Sequence, residues 1–176
     1  MASELFVGRI SQEKGLGTLI EAWHKLNIPL RVAGTGPLSK KLAHLDIRFV
    51  MALGMLDQNS VQEEMRRAAF LVMPSECYEG FPMVLVEAFS QGLPVVASRL
   101  GEMAEIVEDS VTGLHFESGN AKDLAEKVQW MHDHPDECSQ MGLNAREIFE
   151  EKYTAEKNYE ILMGVYQEAI EDANVK

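Results

Sequence analysis

Apolar residues recur along the chain in two alternating rhythms. Short apolar runs, most of them closed by Gly, Pro or Ser, read as strands at Leu5–Val7, Pro29–Ala33, Ile47 to about Met51, Phe70–Met73, Pro94–Ala97 and Gly113–Phe116. Between them apolar positions return every three or four residues, the signature of amphipathic helices. Leu16, Leu19, Ile20, Trp23 and Leu26 mark one from about Gly15 to Leu26, and Leu38, Leu42 and Leu45 mark the next. A third passes through Val61, Met65 and Ala68, with Asn59 or Ser60 as its expected cap. Helices over Pro82–Gln91 and Glu102–Val107 follow. From Ala121 the pattern is helical, broken at His134-Pro135, with a final helix over Ala155–Ile170.

Short strands alternating with helices predict β-α-β units and a parallel sheet covered on both faces. The expected fold is therefore a doubly wound α/β domain. No repeat, linker or low-complexity tract interrupts it, so residues 1–176 are expected to form one domain. Sheets of this kind bind ligands at the carboxyl ends of their strands. That edge carries the loops Gly8–Lys14, Gly34–Pro37, Gly54–Ser60 and Pro74–Phe81.

Composition narrows the ligand. The formal net charge is −12, which opposes non-specific binding to nucleic acid or to an anionic membrane. Two lone cysteines, Cys77 and Cys138, fit a reducing compartment and core packing. No apolar run reaches the ~20 residues that span a bilayer, and the first residues do not read as a signal peptide. A cytoplasmic location is expected, with any membrane association falling to another domain.

The stretch Ser75–Ser98 holds the main candidates. Pro82 suits the first helical position, which leaves the amides of Met83 and Val84 as free donors at a helix N-terminus. With the helix dipole they form an anion site. Phe81, Val84, Leu85, Ala88 and Phe89 are expected to make the apolar face. Glu87, on the stripe shared with Gly80 and Met83, leans back toward that site, and Glu79 precedes it in the loop. Carboxylates repel phosphate but accept bonds from sugar hydroxyls. From the residues alone two accounts stand: solvated acids at a helix end, or hydroxyl contacts beside a phosphate pocket. Arg9 and Lys14, flanking the first strand-to-helix turn, are either surface cations or a pair suited to a diphosphate. Gly34-Thr35-Gly36 reads as a tight turn. His132 to Glu137 reads as a solvated turn and not as a metal site, and no Asp-x-Asp supports a metal-bound diphosphate.

Together these pieces resemble the C-terminal, donor-binding domain of the GT-B-fold retaining glycosyltransferases, the family 4 group of glycosyl transferases group 1. The matching motifs run in order: F-V-G-R at 6–9, E-K-G at 13–15, V-A-G-T-G-P at 32–37 and Leu53-Gly54. They continue with P-S-E-C-Y-E-G-F at 74–81, E-A-F-S-Q-G-L-P-V-V-A at 87–97, G-E-M-A-E-I-V at 101–107 and T-G-L-H-F at 112–116.

The resemblance implies roles. The paired glutamates of the family signature are Glu79, toward the donor-sugar hydroxyls, and Glu87, toward the ribose. Arg9 and Lys14 would hold the diphosphate, supported by the amides of Met83 and Val84 and by Gly8, with Gly80 and Phe81 completing the loop. Leu56 and Asp57 match the region lining the base. The implied donor is a UDP, GDP or ADP sugar, with no metal and no other cofactor. The family also implies a preceding acceptor-binding domain, which this chain does not include. It is thus expected to bind donor but not to transfer sugar alone. The alternative is a non-catalytic nucleotide-binding module of the same fold. A receiver-like domain would need acids after the first strand, where Gly8-Arg9 stands.

Overall fold

The computed structural model describes residues 3–45 and 47–174. Its strands are β1 (Ser3–Val7), β2 (Leu30–Ala33), β3 (Val50–Gly54), β4 (Ala68–Met73), β5 (Val95–Ser98) and β6 (Gly113–Phe116). Every strand pair is parallel, in the order β3-β2-β1-β4-β5-β6. The helices are α1 (Leu16–Trp23), α2 (Ser39–Ala43), α3 (Gln58–Arg67), α4 (Met83–Ser90), α5 (Glu102–Ile106), α6 (Ala121–Asp133), α7 (Pro135–Ile148) and α8 (Ala155–Asn174). A π-helical turn, Phe149–Tyr153, joins α7 to α8.

Period-two alternation along the strands divides the core in two. Phe6, Phe70, Val72 and Val96 face one side, against Leu19 and Trp23 of α1 and Leu124 and Val128 of α6. Leu5, Leu71, Val95 and Ala97 face the other, against Met65 of α3, Leu85 and Phe89 of α4, and Met103 of α5. Both faces being covered makes the sheet doubly wound, as the sequence pattern requires. The strand order reverses between β1 and β4, so the loops after those two strands diverge around a crevice.

Boundaries moved where local chemistry overrode the pattern. β3 begins three residues late, because Ile47–Phe49 turns, with the Val50 amide donating to the Ile47 carbonyl at 3.0 Å. β3 is also an edge strand whose Met51 and Ala52 face solvent, which blurs its apolar signal. The cap of α3 is Asp57, whose carboxylate accepts the Ser60 amide at 2.8 Å, in place of Asn59 or Ser60. Pro82 stands one residue before α4, at its N-cap in an extended conformation, and not at the first helical position. On α4 the buried residues are Leu85, Val86, Ala88 and Phe89. Phe81 is half exposed, its ring 6.2 Å from that of Tyr153.

The His132–Glu137 stretch is a solvated junction between α6 and α7, as expected, with every residue but His134 exposed. His132 Nδ1 lies 3.3 Å from the carboxylate of Glu4, a fully buried β1 residue whose pKa is raised by that burial. His134 stacks on Trp130. Among the described residues no group of three or more His, Cys, Asp or Glu is placed to hold a metal ion.

Candidate functional site

The two loops at the crevice are locked together by backbone contact. Gly15, the residue before α1, has φ 73°, and a Cβ there would stand 1.8 Å from the Pro74 carbonyl oxygen. Only glycine meets both conditions. The Glu76 amide donates to the Glu13 carbonyl at 2.9 Å, and Thr18 Oγ1 donates to Glu76 Oε1 at 2.6 Å. Glu76, which carried no role in the motif, therefore ties the loop after β4 to the start of α1.

Between these loops and the N-terminus of α4 lies a cavity of about 320 Å³. Gly8, Arg9, Lys14, Glu79, Phe81, Met83, Val84 and Glu87 all line it. Met83 and Val84 open α4, so their amides have no acceptor within the helix. A second cavity of about 500 Å³ shares Val7, Gly8 and Arg9 with the first and continues past Gly34 and Gly36 to Met55 and Leu56. Gly34, with φ 135°, packs its Cα against the Gly8 carbonyl, which is the tight turn its sequence suggested.

One pair of opposite charges in the first cavity is joined directly. The Lys14 ammonium bonds the Glu79 carboxylate, which also accepts Ser75 Oγ at 2.8 Å. Arg9 is exposed and stands 3.7 Å from Glu13. The pKa of Glu13 is lowered, first by a bond from its own backbone amide, then by Ser11, and less by Arg9. Partial burial at the cavity wall raises that of Glu87. Such an array can accept a diphosphate between the cations and the helix amides, and hydroxyls at the carboxylates.

Two candidates stand apart. Gly80 is exposed between Glu79 and Phe81 without lining the cavity. Asp57 turns its carboxylate back to cap α3, and of its pair only Leu56 reaches a cavity wall. Sequence reasoning missed Ser75, which fixes the Glu79 carboxylate; its place in the quoted P-S-E-C-Y-E-G-F motif was the available signal. Among the described residues no helix is long and apolar enough to cross a membrane.

Comparison with known proteins agrees with this architecture. The chain is 34% identical over 168 residues to an uncharacterized glycosyltransferase of Methanocaldococcus jannaschii, covering 93% of this chain and 47% of that protein. Sucrose-phosphate synthase of Thermosynechococcus elongatus superposes with TM-score 0.87 at 25% identity, over 97% of this chain and 46% of that one. Anabaena HepE, solved in complex with UDP, superposes with TM-score 0.83 at 22% identity, over 94% of this chain and 48% of that one. The chain thus spans about half the length of the relatives it matches. Its sheet is the Rossmann-like half of the GT-B architecture. The family model for glycosyl transferases group 1 matches residues 4–148, and the chain belongs to that family.

Proposed function

We propose that this domain binds the nucleotide diphosphate sugar donor of a retaining glycosyltransferase, in the crevice between the ends of β1 and β4. One observation carries the reading: two cations, two carboxylates and a helix N-terminus, drawn from three separate segments, line a single cavity at the point where the strand order reverses. Anabaena HepE has been solved with UDP-glucose as well as with UDP, which supports a nucleotide-sugar ligand for the same fold.

In this reading the diphosphate lies against the Met83 and Val84 amides, with Arg9 and Lys14 around it. Glu87 accepts the ribose hydroxyls, and Glu79 accepts those of the sugar. The base extends into the neighbouring cavity toward Leu56. Transfer breaks the bond between the anomeric carbon and the diphosphate oxygen and leaves negative charge on the departing group. Arg9, Lys14 and the helix amides stabilise that charge in place of a metal. The oxygen of an acceptor hydroxyl forms the new bond to the anomeric carbon and its proton passes to the departing diphosphate; the acceptor is held by a second domain of the parent protein, on which transfer of a hexosyl group depends. The bare apolar residues of α8, such as Ile161 and Val165, support a partner surface of that kind. The free thiols of Cys77 and Cys138 support a cytoplasmic setting.

Calorimetry with UDP, GDP and ADP sugars on this chain, on Arg9→Ala and on Glu87→Ala tests the reading. One nucleotide class is expected to bind, and both substitutions are expected to weaken it. If no nucleotide binds, or if neither substitution matters, the proposal fails.

A further inference from the structure

We infer that Tyr153, in the π-helical turn before α8, is a positioning residue for donor binding: its ring supports Phe81 and thereby sets the wall of the first cavity. This role rests on the donor reading of that cavity. It adds a residue that lies far along the chain from the paired glutamates.

The loop that carries Glu79 needs such a support. Residues 77–81 belong to no helix or strand, and among the described residues no backbone–backbone hydrogen bond involves them. Side chains must therefore hold this segment in place. Three contacts do so. Glu79 bonds Lys14 and Ser75 on the side of the loop facing β1. The Tyr78 ring rests on the backbone of Gly101, where a Cβ would stand 2.8 Å from the Tyr78 Cδ1. The Phe81 ring leans on Tyr153, with centroids 6.2 Å apart and planes inclined at 57°, inside the range of aromatic pairs.

The third contact bears on the cavity most directly. Phe81 lines it, and Pro82, Met83 and Val84 follow Phe81 along the same wall. Proline has a fixed φ, so little slack separates the Phe81 ring from the amides that open α4. A shift of Phe81 thus displaces those amides on one side and Glu79, two residues back, on the other. Tyr153 is suited to prevent it. It is half-buried against the core cluster that holds Leu85 and Met103, and its turn packs against α4 as well as α7. Wide i→i+5 turns of this kind are rare and recur at functional sites. Here the turn brings Tyr153 to Phe81 before Thr154 caps α8, its Oγ1 accepting the Lys157 amide at 3.2 Å.

The test compares Tyr153→Ala, Tyr153→Phe and Ile148→Ala in the full chain. Ile148 packs on the same core and lines neither cavity, so its variant reports lost packing alone. Calorimetry with UDP-glucose, GDP-mannose and ADP-glucose is run where circular dichroism shows every variant folded. Tyr153→Ala is expected to bind the accepted sugar nucleotide about three- to tenfold more weakly, the worth of an aromatic pair. Tyr153→Phe keeps the ring and is expected to bind as the native chain does. Ile148→Ala is expected to lower Tm and leave the affinity unchanged. Amide relaxation of the free chains gives a second readout: order parameters at Glu79, Gly80, Phe81 and Met83 are expected to fall in Tyr153→Ala and to hold in the other two variants. Native affinity in Tyr153→Ala, an equal loss in Ile148→Ala, or no rescue by Tyr153→Phe overturns the inference. If the native chain binds no sugar nucleotide, the donor reading fails, and the order parameters alone decide whether Tyr153 sets the cavity wall.

Discussion

Lys14 and Glu79, 65 residues apart in the chain, form an ion pair across the crevice between the loops after β1 and β4. The cation suited to a diphosphate and the acid suited to a sugar thus neutralise one another across the cavity. Binding a donor means that Lys14 divides its donors between Glu79 and phosphate. The Ser75 hydroxyl, 2.8 Å from the same carboxylate oxygen, keeps Glu79 in place while this happens.

Glu79→Gln removes the charge but keeps the size of the side chain. Lys14 then meets phosphate without a competitor, so a bare nucleoside diphosphate is expected to bind about two- to fivefold tighter, the worth of a partly exposed pair. The advantage of the sugar-nucleotide over the bare nucleotide is expected to shrink, because an amide accepts hydroxyls less well than a carboxylate. Paired calorimetric titrations decide it: an equal change for both ligands would remove Glu79 from the sugar.

Glu87 places binding and stability in opposition. Burial raises its pKa above the ordinary carboxylate value of 4.5, so the folded state holds this proton more tightly than the unfolded chain does. The charged form therefore costs stability, and the cost appears as pH rises through the range just above 4.5. Glu87→Gln is expected to raise Tm at pH 7 by roughly 1–2 °C, below the 2–4 °C per kcal/mol usual for this size, because the side chain keeps contact with water. At pH below 4 the two proteins should melt together. The same exchange should weaken nucleotide binding. A Tm difference that is unchanged or larger at low pH would contradict the burial account.

The fold and the cluster of site residues were legible for a physical reason. Leu71 and Val72, or Val95 and Val96, lie on opposite faces of a sheet buried on both sides, so each strand is a continuous apolar run that the eye catches. Placement at strand ends followed from the alternation itself. What stayed hidden depends on partners distant in sequence. Glu4 reads as a polar start to a strand, and only its register beside His132 shows it buried. Asp57 reads as a loop acid, yet one turn of backbone makes it a helix cap. Ser75 and Glu76 differ in role although they are neighbours: one bonds Glu79 and the other bonds Thr18.

Gly15 is the pivot on which this geometry rests. Gly15→Ala meets a left-handed φ of 73° and a carbonyl oxygen 1.8 Å from the new methyl group. The conformational strain is about 1–2 kcal/mol, and the clash forces the Pro74 loop to move, so the total cost is expected at about 3 kcal/mol. Urea denaturation measures it. Since the displaced loop carries Ser75 and Glu79, the variant is also expected to lose nucleotide binding under conditions where it remains folded. A stability loss under about 1 kcal/mol would show that the two loops are not tightly joined.

The last helix gives the fold little stability. Every residue from Ala155 to Glu171 is exposed, and the main contact of α8 is with the π-helical turn before it. Tyr159, Ile161, Leu162, Met163, Val165, Tyr166 and Ile170 all present apolar surface to water. Removing α8 takes away little buried area, so it loses almost none of the hydrophobic stabilisation that burial supplies. A chain ending at Thr154 is expected to melt within about 1–2 °C of the full chain, since 1 kcal/mol shifts Tm by about 2–4 °C at this size. It should also self-associate less, because a patch of this kind drives association. The turn itself must be kept, because Tyr153 packs against Phe81 beside Glu79. Differential scanning calorimetry and sedimentation velocity on the two chains measure both quantities. A drop of more than about 5 °C would mean that α8 packs against the sheet in solution, and its apolar side chains would then no longer support a second-domain surface.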